Sequence, residues 1–297
     1  MKDKIRALAK EKNAIILAHN YQPGEIQEIA DLCGDSLELS IRAAETEAEV
    51  IVFCGVHFMA ETASILSPDK KVLLPNLDAG CPMADMVTPG ALQLKMAELG
   101  NPPVVTYVNS SAAVKALTTI CCTSANVVDV VNSMDEDELL MVPDKNLAQW
   151  AARHTKKKLH LWEGYCHVHD RLKAPELSAT KAKYPDALVL AHPECRPEVL
   201  DLADHVVSTS GMLRFAVESD HTEFIVGTEK GLLYGLQKQN PEKLFHPAAP
   251  HMTCPNMKKI TVHDVLDCLT DLSNEVKVPE DIRLPALKAV EGMIAIK

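Results

Sequence analysis

Short apolar runs alternate with longer runs of helical spacing along most of the chain. AIILA (14–18), EVIVFC (49–54), KVLLP (71–75) and DALVLA (186–191) are bounded by turn residues and rich in aliphatic side chains, as strands buried on both faces are. EIQEIADLC (25–33), ALQLKMAEL (91–99) and DKNLAQWAARH (144–154) place apolar residues three and four apart, which predicts helices. Pro and Gly mark the run ends. The alternation predicts α/β units with parallel sheets, whose ligands bind at the carboxyl ends of the strands.

The pattern occurs three times. A strand ends in a polar cluster at AIILAHNYQ around His19, at PVVTYVNSS around Tyr107 and at DALVLAHPEC around His192. Seventeen residues beyond each anchor a hydroxyl (Ser36, Ser124, Thr209) precedes a helical pattern, and a second strand ends near Gly55, Pro143 and Gly227. Solitary cysteines follow at 62, 59 and 62 residues from the anchors: Cys81, Cys166 and Cys254. A fixed internal period implies one structural unit per repeat. The units expected are residues 1–84 with a returning C-terminal segment of about 265–297, then 85–170, then 171–264. The fold class expected is α/β, with three homologous αβα sandwich domains in a pseudo-threefold arrangement around one central active-site cavity.

Composition narrows the function. In 297 residues, 47% are apolar, enough for a large core, and no apolar run approaches the roughly 18 residues of a membrane span. MKDKIRALAKEKN has no signal-peptide core, so a cytoplasmic protein is expected. Nine cysteines without a secretory signal are expected to stay thiols in a reducing compartment. A formal charge of −11 argues against nucleic acid as a partner. Small anions remain open as substrates, because local dipoles and hydrogen-bond donors hold them.

A lone Cys after a strand is ordinarily a small buried hydrophobe, and Cys33, Cys54, Cys121, Cys122, Cys195 and Cys268 are read that way. The symmetric triplet points to metal instead. Structural zinc usually takes four ligands, often from C-x-x-C turns, and the chain has no C-x-x-C. Three thiolates from distant segments suit a [4Fe–4S] cluster with one iron lacking a protein ligand. CHVHD offers a competing zinc knot of Cys166, His167 and His169. Ser36, Ser124 and Thr209 read either as helix caps or as a shared anion site at helix N-termini.

AHNYQ, GDSLELS, FCGVHFMAE, AGCPMADM, VTYVNSSAAVKA, CTSAN, HPEC, STSGM, GTEKGLL and MTCPNMKKIT together resemble the quinolinate synthase family, over nearly the whole chain. The resemblance implies an iron–sulfur enzyme of NAD biosynthesis that condenses iminosuccinate with dihydroxyacetone phosphate to quinolinate, releasing phosphate and two waters. It implies one [4Fe–4S] cluster per chain held by Cys81, Cys166 and Cys254, with the open iron acting as a Lewis acid. It places substrate contacts at His19, Ser36, Tyr107, Val108, Asn109, Ser124, His192, Pro193, Glu194 and Thr209. Tyr21, Tyr107, Glu194 and His19 become the candidates for catalysis. A transient link to an aspartate-oxidising enzyme that supplies iminosuccinate is also implied.

Two departures from the family pattern stand out. Asp31 and Asp204 occur twelve residues after their anchors, but the middle repeat has Thr119 where an acid is usual. MTCPNM has only Cys254, so the regulatory disulfide of some relatives is not expected. Two other classes of function compete with the resemblance. An iron–sulfur sensor would need a partner-binding element, and no basic patch or helix-turn-helix pattern is present. A cluster-free lyase or aldolase would tolerate Cys→Ser changes at all three positions.

Overall fold

A computed structural model describes residues 1–296. Twelve strands form three four-stranded sheets, parallel throughout. The first sheet contains β1 (Ala14–His19), β2 (Leu32–Gly34), β3 (Val50–Cys54) and β4 (Lys71–Leu73). The second contains β5 (Val104–Tyr107), β6 (Ile120–Cys122), β7 (Glu138–Val142) and β8 (Lys158–Leu161), and the third β9 (Leu188–Ala191), β10 (His205–Val206), β11 (Glu223–Gly227) and β12 (Leu244–Pro247). Each sheet has the same order, in which the unit's second strand lies at one edge, then the first, third and fourth. That identity is the repeat seen in three dimensions.

The central strands carry the core. Ile16, Leu17, Ile51 and Val52 are fully buried, and each such side chain contributes about 1.5–3 kcal/mol relative to exposure. The edge strands β2, β6 and β10 have only two or three residues, and one differs from its sequence pattern. EIQEIADLC is helical only over Gly24–Ile29, and Leu32–Gly34 becomes β2 instead. The break lies at Asp31, whose carboxylate accepts the Ile16 N–H at 2.8 Å and so fastens the incoming chain to β1.

The C-terminal segment folds back across the molecule. Helix Val262–Asp271 packs on helix Lys2–Glu11, and the last helix, Glu280–Ala295, packs against helix His57–Leu66, helix Ala112–Lys115 and β6. Asn126 ties that last helix down by donating to the carbonyls of Met293 (2.9 Å) and Ile296 (2.8 Å). No described helix is long and apolar enough to cross a membrane.

Candidate active site

The carboxyl ends of the strands open on one cavity. His19, Tyr21, Ser36, Tyr107, Asn109, Ser124, His192, Glu194 and Thr209 line it, together with Cys81, Cys166 and Cys254. Val108 and Pro193 are buried beside these residues and are not part of the lining. The lining contains no Lys or Arg, so an anion bound there must be held by hydroxyls, amides, imidazoles and backbone dipoles.

The three hydroxyls differ from their reading as caps. Asp35 caps helix Ser36–Glu45, accepting from the N–H groups of Leu37 (3.0 Å) and Glu38 (3.1 Å). Ser208 caps helix Thr209–Glu218, accepting from Gly211 N–H at 3.2 Å. Helix Val127–Ser133 begins after Asn126, well past Ser124. With capping done by the preceding residue, Ser36 and Thr209 stand at the first helical position and line the cavity. Ser208 also donates to Asp35 at 3.4 Å, which seats two helix N-termini from different units side by side.

His19 and His192 are oriented alike. The Nδ1 atom of each accepts the backbone N–H two residues on, from Tyr21 at 3.1 Å and from Glu194 at 3.3 Å. This leaves the proton on Nε2, and His192 Nε2 reaches Ser124 Oγ at 3.1 Å. Burial depresses both imidazoles to about 3: Lys258 adds to the effect at His19, while Glu194 opposes it at His192. Both rings are therefore neutral at physiological pH.

A buried relay joins residues of all three units. Tyr21 Oη lies 2.5 Å from Thr228 Oγ1, which lies 2.8 Å from His169 Nε2, and His169 Nδ1 lies 2.6 Å from Glu194 Oε2. With Nδ1 donating to the carboxylate, Nε2 accepts from Thr228, and Thr228 in turn accepts from Tyr21. Burial would raise Glu194, but His169, His192 and the Tyr107 hydroxyl outweigh it and hold the carboxyl at about 2. Burial, reinforced by the Glu194 charge, pushes Tyr21 and Tyr107 well above the usual phenol range. The site thus keeps an ionised carboxylate among protonated phenols.

His169 and Thr228 were not assigned catalytic roles from the sequence. Thr228 was visible only as part of GTEKGLL, and His169 only as a member of the zinc knot. That knot is not formed as read. The described side chains gather Cys166, His169 and Glu194, with ligand atoms within 4.8 Å of one another, and His167 is not in the group.

A metal at this site would meet the three thiols first. Each cysteine opens a short turn whose backbone N–H groups face its sulfur: Met83 and Ala84 at Cys81, His169 at Cys166, Asn256 and Met257 at Cys254. Burial raises all three thiols, Cys81 to about 12. They carry protons unless a cation displaces them, as metal binding does. Half-buried sulfurs facing one cavity, each with its own amide donors, fit an iron–sulfur cluster. Of the six cysteines read as buried hydrophobes, Cys54, Cys121, Cys122, Cys195 and Cys268 are buried, whereas Cys33 is half-buried and donates to the Gln27 carbonyl at 3.4 Å.

Residues 3–295 match the family model for quinolinate synthetase A protein. The chain belongs to the quinolinate synthase family. It is similar to quinolinate synthase of Geobacter metallireducens, with 58% identity over 297 residues, covering all of this chain and 97% of that protein. Quinolinate synthase of Geotalea uraniireducens is 57% identical over 296 residues, again covering 100% and 97% of the two chains. Quinolinate synthase 2 of Methanosarcina acetivorans is 51% identical over 294 residues, 99% of this chain and 95% of that protein. Family membership therefore extends over all three units and the whole cavity wall.

Proposed function

We propose that the chain condenses iminosuccinate with dihydroxyacetone phosphate to form quinolinate, one phosphate and two waters, on a route toward NAD. These products account for every atom of the substrates without an external oxidant. The observation that carries the reading is a pair of unpaired buried polar atoms in the cavity wall. Thr209 Oγ1 and Asn109 Oδ1 have no partner within the protein, and buried polar atoms are otherwise paired in about nine cases in ten. They are satisfied when a polar substrate enters.

Thr209 and Ser36 present hydroxyls at adjoining helix N-termini, which suit a phosphate or carboxylate. His192 and Asn109 supply directed contacts for the dicarboxylate. Glu194, ionised, accepts the proton removed during enolisation or dehydration. Tyr107, protonated and facing Glu194, donates a hydrogen bond to a developing oxyanion. Tyr21, Thr228 and His169 form the hydrogen-bond chain that ends on Glu194 and holds its carboxylate in place for that transfer. Held by Cys81, Cys166 and Cys254, a [4Fe–4S] cluster with one iron free of protein ligands would supply Lewis acidity toward the hydroxyl that departs as water.

The test is quinolinate formation by anaerobically reconstituted protein given both substrates, with free phosphate measured alongside. One phosphate per quinolinate is expected. Phosphate release without quinolinate would favour a lyase and overturn the reading.

A further inference from the structure

Two of the three cysteine loops are anchored from behind by a buried carboxylate, and the third is not. Asp144 Oδ2 accepts the backbone N–H of Cys166 at 3.0 Å while its Oδ1 accepts Leu147 N–H at 2.8 Å. Glu229 Oε1 accepts the backbone N–H of Cys254 at 3.0 Å while its Oε2 accepts from Gly231 N–H at 2.6 Å and from Lys258 Nζ at 3.0 Å. Both carboxylates are almost completely buried. Both also stand 37 residues past an anchor, Tyr107 or His192, and the same step from His19 reaches Val56, which has no polar side-chain atom. Among the described residues the Cys81 N–H donates to no protein group.

Glycines make room for each anchor. A Cβ on Gly231 would lie 2.4 Å from the Tyr21 carbonyl and 2.7 Å from both Glu229 Oε2 and Lys258 Nζ. A Cβ on Gly164, two residues before Cys166, would lie 2.4 Å from the Pro143 carbonyl. A side chain at either place would force these neighbours to shift.

We infer that Asp144 and Glu229 are positioning residues for two of the cluster ligands, and that Cys81 is presented by its turn alone. The inference rests on the cluster reading proposed above. Each carboxylate fixes the cysteine's backbone while the turn's own amides face its sulfur, so Cys166 and Cys254 are held at two points and Cys81 at one. Such outer partners typically change metal affinity by about 10- to 100-fold when removed.

The experiment compares the iron-loaded parent with Asp144→Asn and Glu229→Gln, in which one acceptor oxygen becomes a donor nitrogen. Asp204→Asn is the matched control, because Asp204 accepts a strand N–H, that of Val189 at 2.8 Å, and is not part of the cavity lining. Iron release to a chelator under anaerobic conditions should accelerate about 10- to 100-fold in the first two variants, with an altered electron paramagnetic resonance spectrum of the reduced cluster. Asp204→Asn should lower the melting temperature yet release iron at the parental rate. Parental release and spectra in both test variants would overturn the inference, as would equal acceleration in Asp204→Asn.

Amide hydrogen exchange on the iron-loaded parent needs no variant to fold. Cys166 and Cys254 N–H groups should be protected and that of Cys81 should exchange fast; equal exchange at all three would also overturn it. A parent that binds no iron after reconstitution defeats the cluster reading itself, a result distinct from the others.

Discussion

The two ends of the same strands are held to different standards. Near the amino ends, Asp31, Thr119 and Asp204 occupy equivalent places, and each accepts one strand N–H: Ile16 at 2.8 Å, Val104 at 3.0 Å and Val189 at 2.8 Å. The hydroxyl of Thr119 does the work of the usual acid, so that departure from the family pattern keeps its hydrogen bond. At the carboxyl ends the polar atoms point into the cavity, and two of them, on Asn109 and Thr209, have no internal partner. Where only an acceptor is needed, chemistry is interchangeable. Where a ligand must be met, it is not.

The sharpest way to break this contrast is Glu194→Gln, which removes the site's ionised carboxylate with little change in shape. Quinolinate formation is expected to fall about 10²- to 10⁴-fold, with an unchanged far-ultraviolet circular dichroism spectrum. A variant retaining the parental rate would remove Glu194 from proton transfer. Thr228→Val is expected to act less strongly, lowering kcat about tenfold, the rate equivalent of about 1.4 kcal/mol. Its effect should shrink in a Tyr21→Phe background, since both changes cut the same relay, and strict additivity would show that the relay does not exist.

Stability of the metal-free chain should depend on pH through His19 and His192. Their native pKa values, about 3, lie below the unfolded value of 6.5, so below pH 6.5 the unfolded chain takes up protons that the native chain refuses. Stability is thus complete above that pH and lost as pH falls toward 3, by about 1.5 kcal/mol per residue between pH 6.5 and 5. Glu194, held at about 2, is ionised in both states over most of that window and adds little. Urea unfolding of the parent and of His192→Gln would check this, the variant showing the shallower dependence. Parallel curves would refute a buried neutral His192.

The smallest effects belong to the amino ends. Thr119→Ala should cost about 1 kcal/mol by thermal melting, for one lost acceptor, while Thr119→Asp should be nearly neutral. Neither should change kcat. A large loss of activity in Thr119→Asp would mean that this end also serves the site.

What the sequence disclosed follows the same division. The anchors, the hydroxyls and the cysteines were legible because chemically distinctive residues recur at fixed steps. β2, β6 and β10 were harder to read, since two or three residues carry no period and Leu32–Gly34 continues a helical pattern. The relay was hidden for another reason. Tyr21, Thr228, His169 and Glu194 come from four segments, and only the packed sheets aim them at one another. Asp144 stood in the sequence only as the first residue of a helical run, whose cap it is; its second bond, to Cys166, depends on where the later loop lands.

Iron and acid-labile sulfide, measured with an absorption spectrum on anaerobically reconstituted protein, test the central claim most directly when Cys81→Ser, Cys166→Ser and Cys254→Ser are measured beside the parent. About four irons and four sulfides per parent chain, lost in all three variants, are predicted for a three-thiolate [4Fe–4S] cluster. A folded parent without iron would contradict it. So would a single metal ion that survives Cys81→Ser and Cys254→Ser, because that pattern belongs to Cys166, His169 and Glu194 alone.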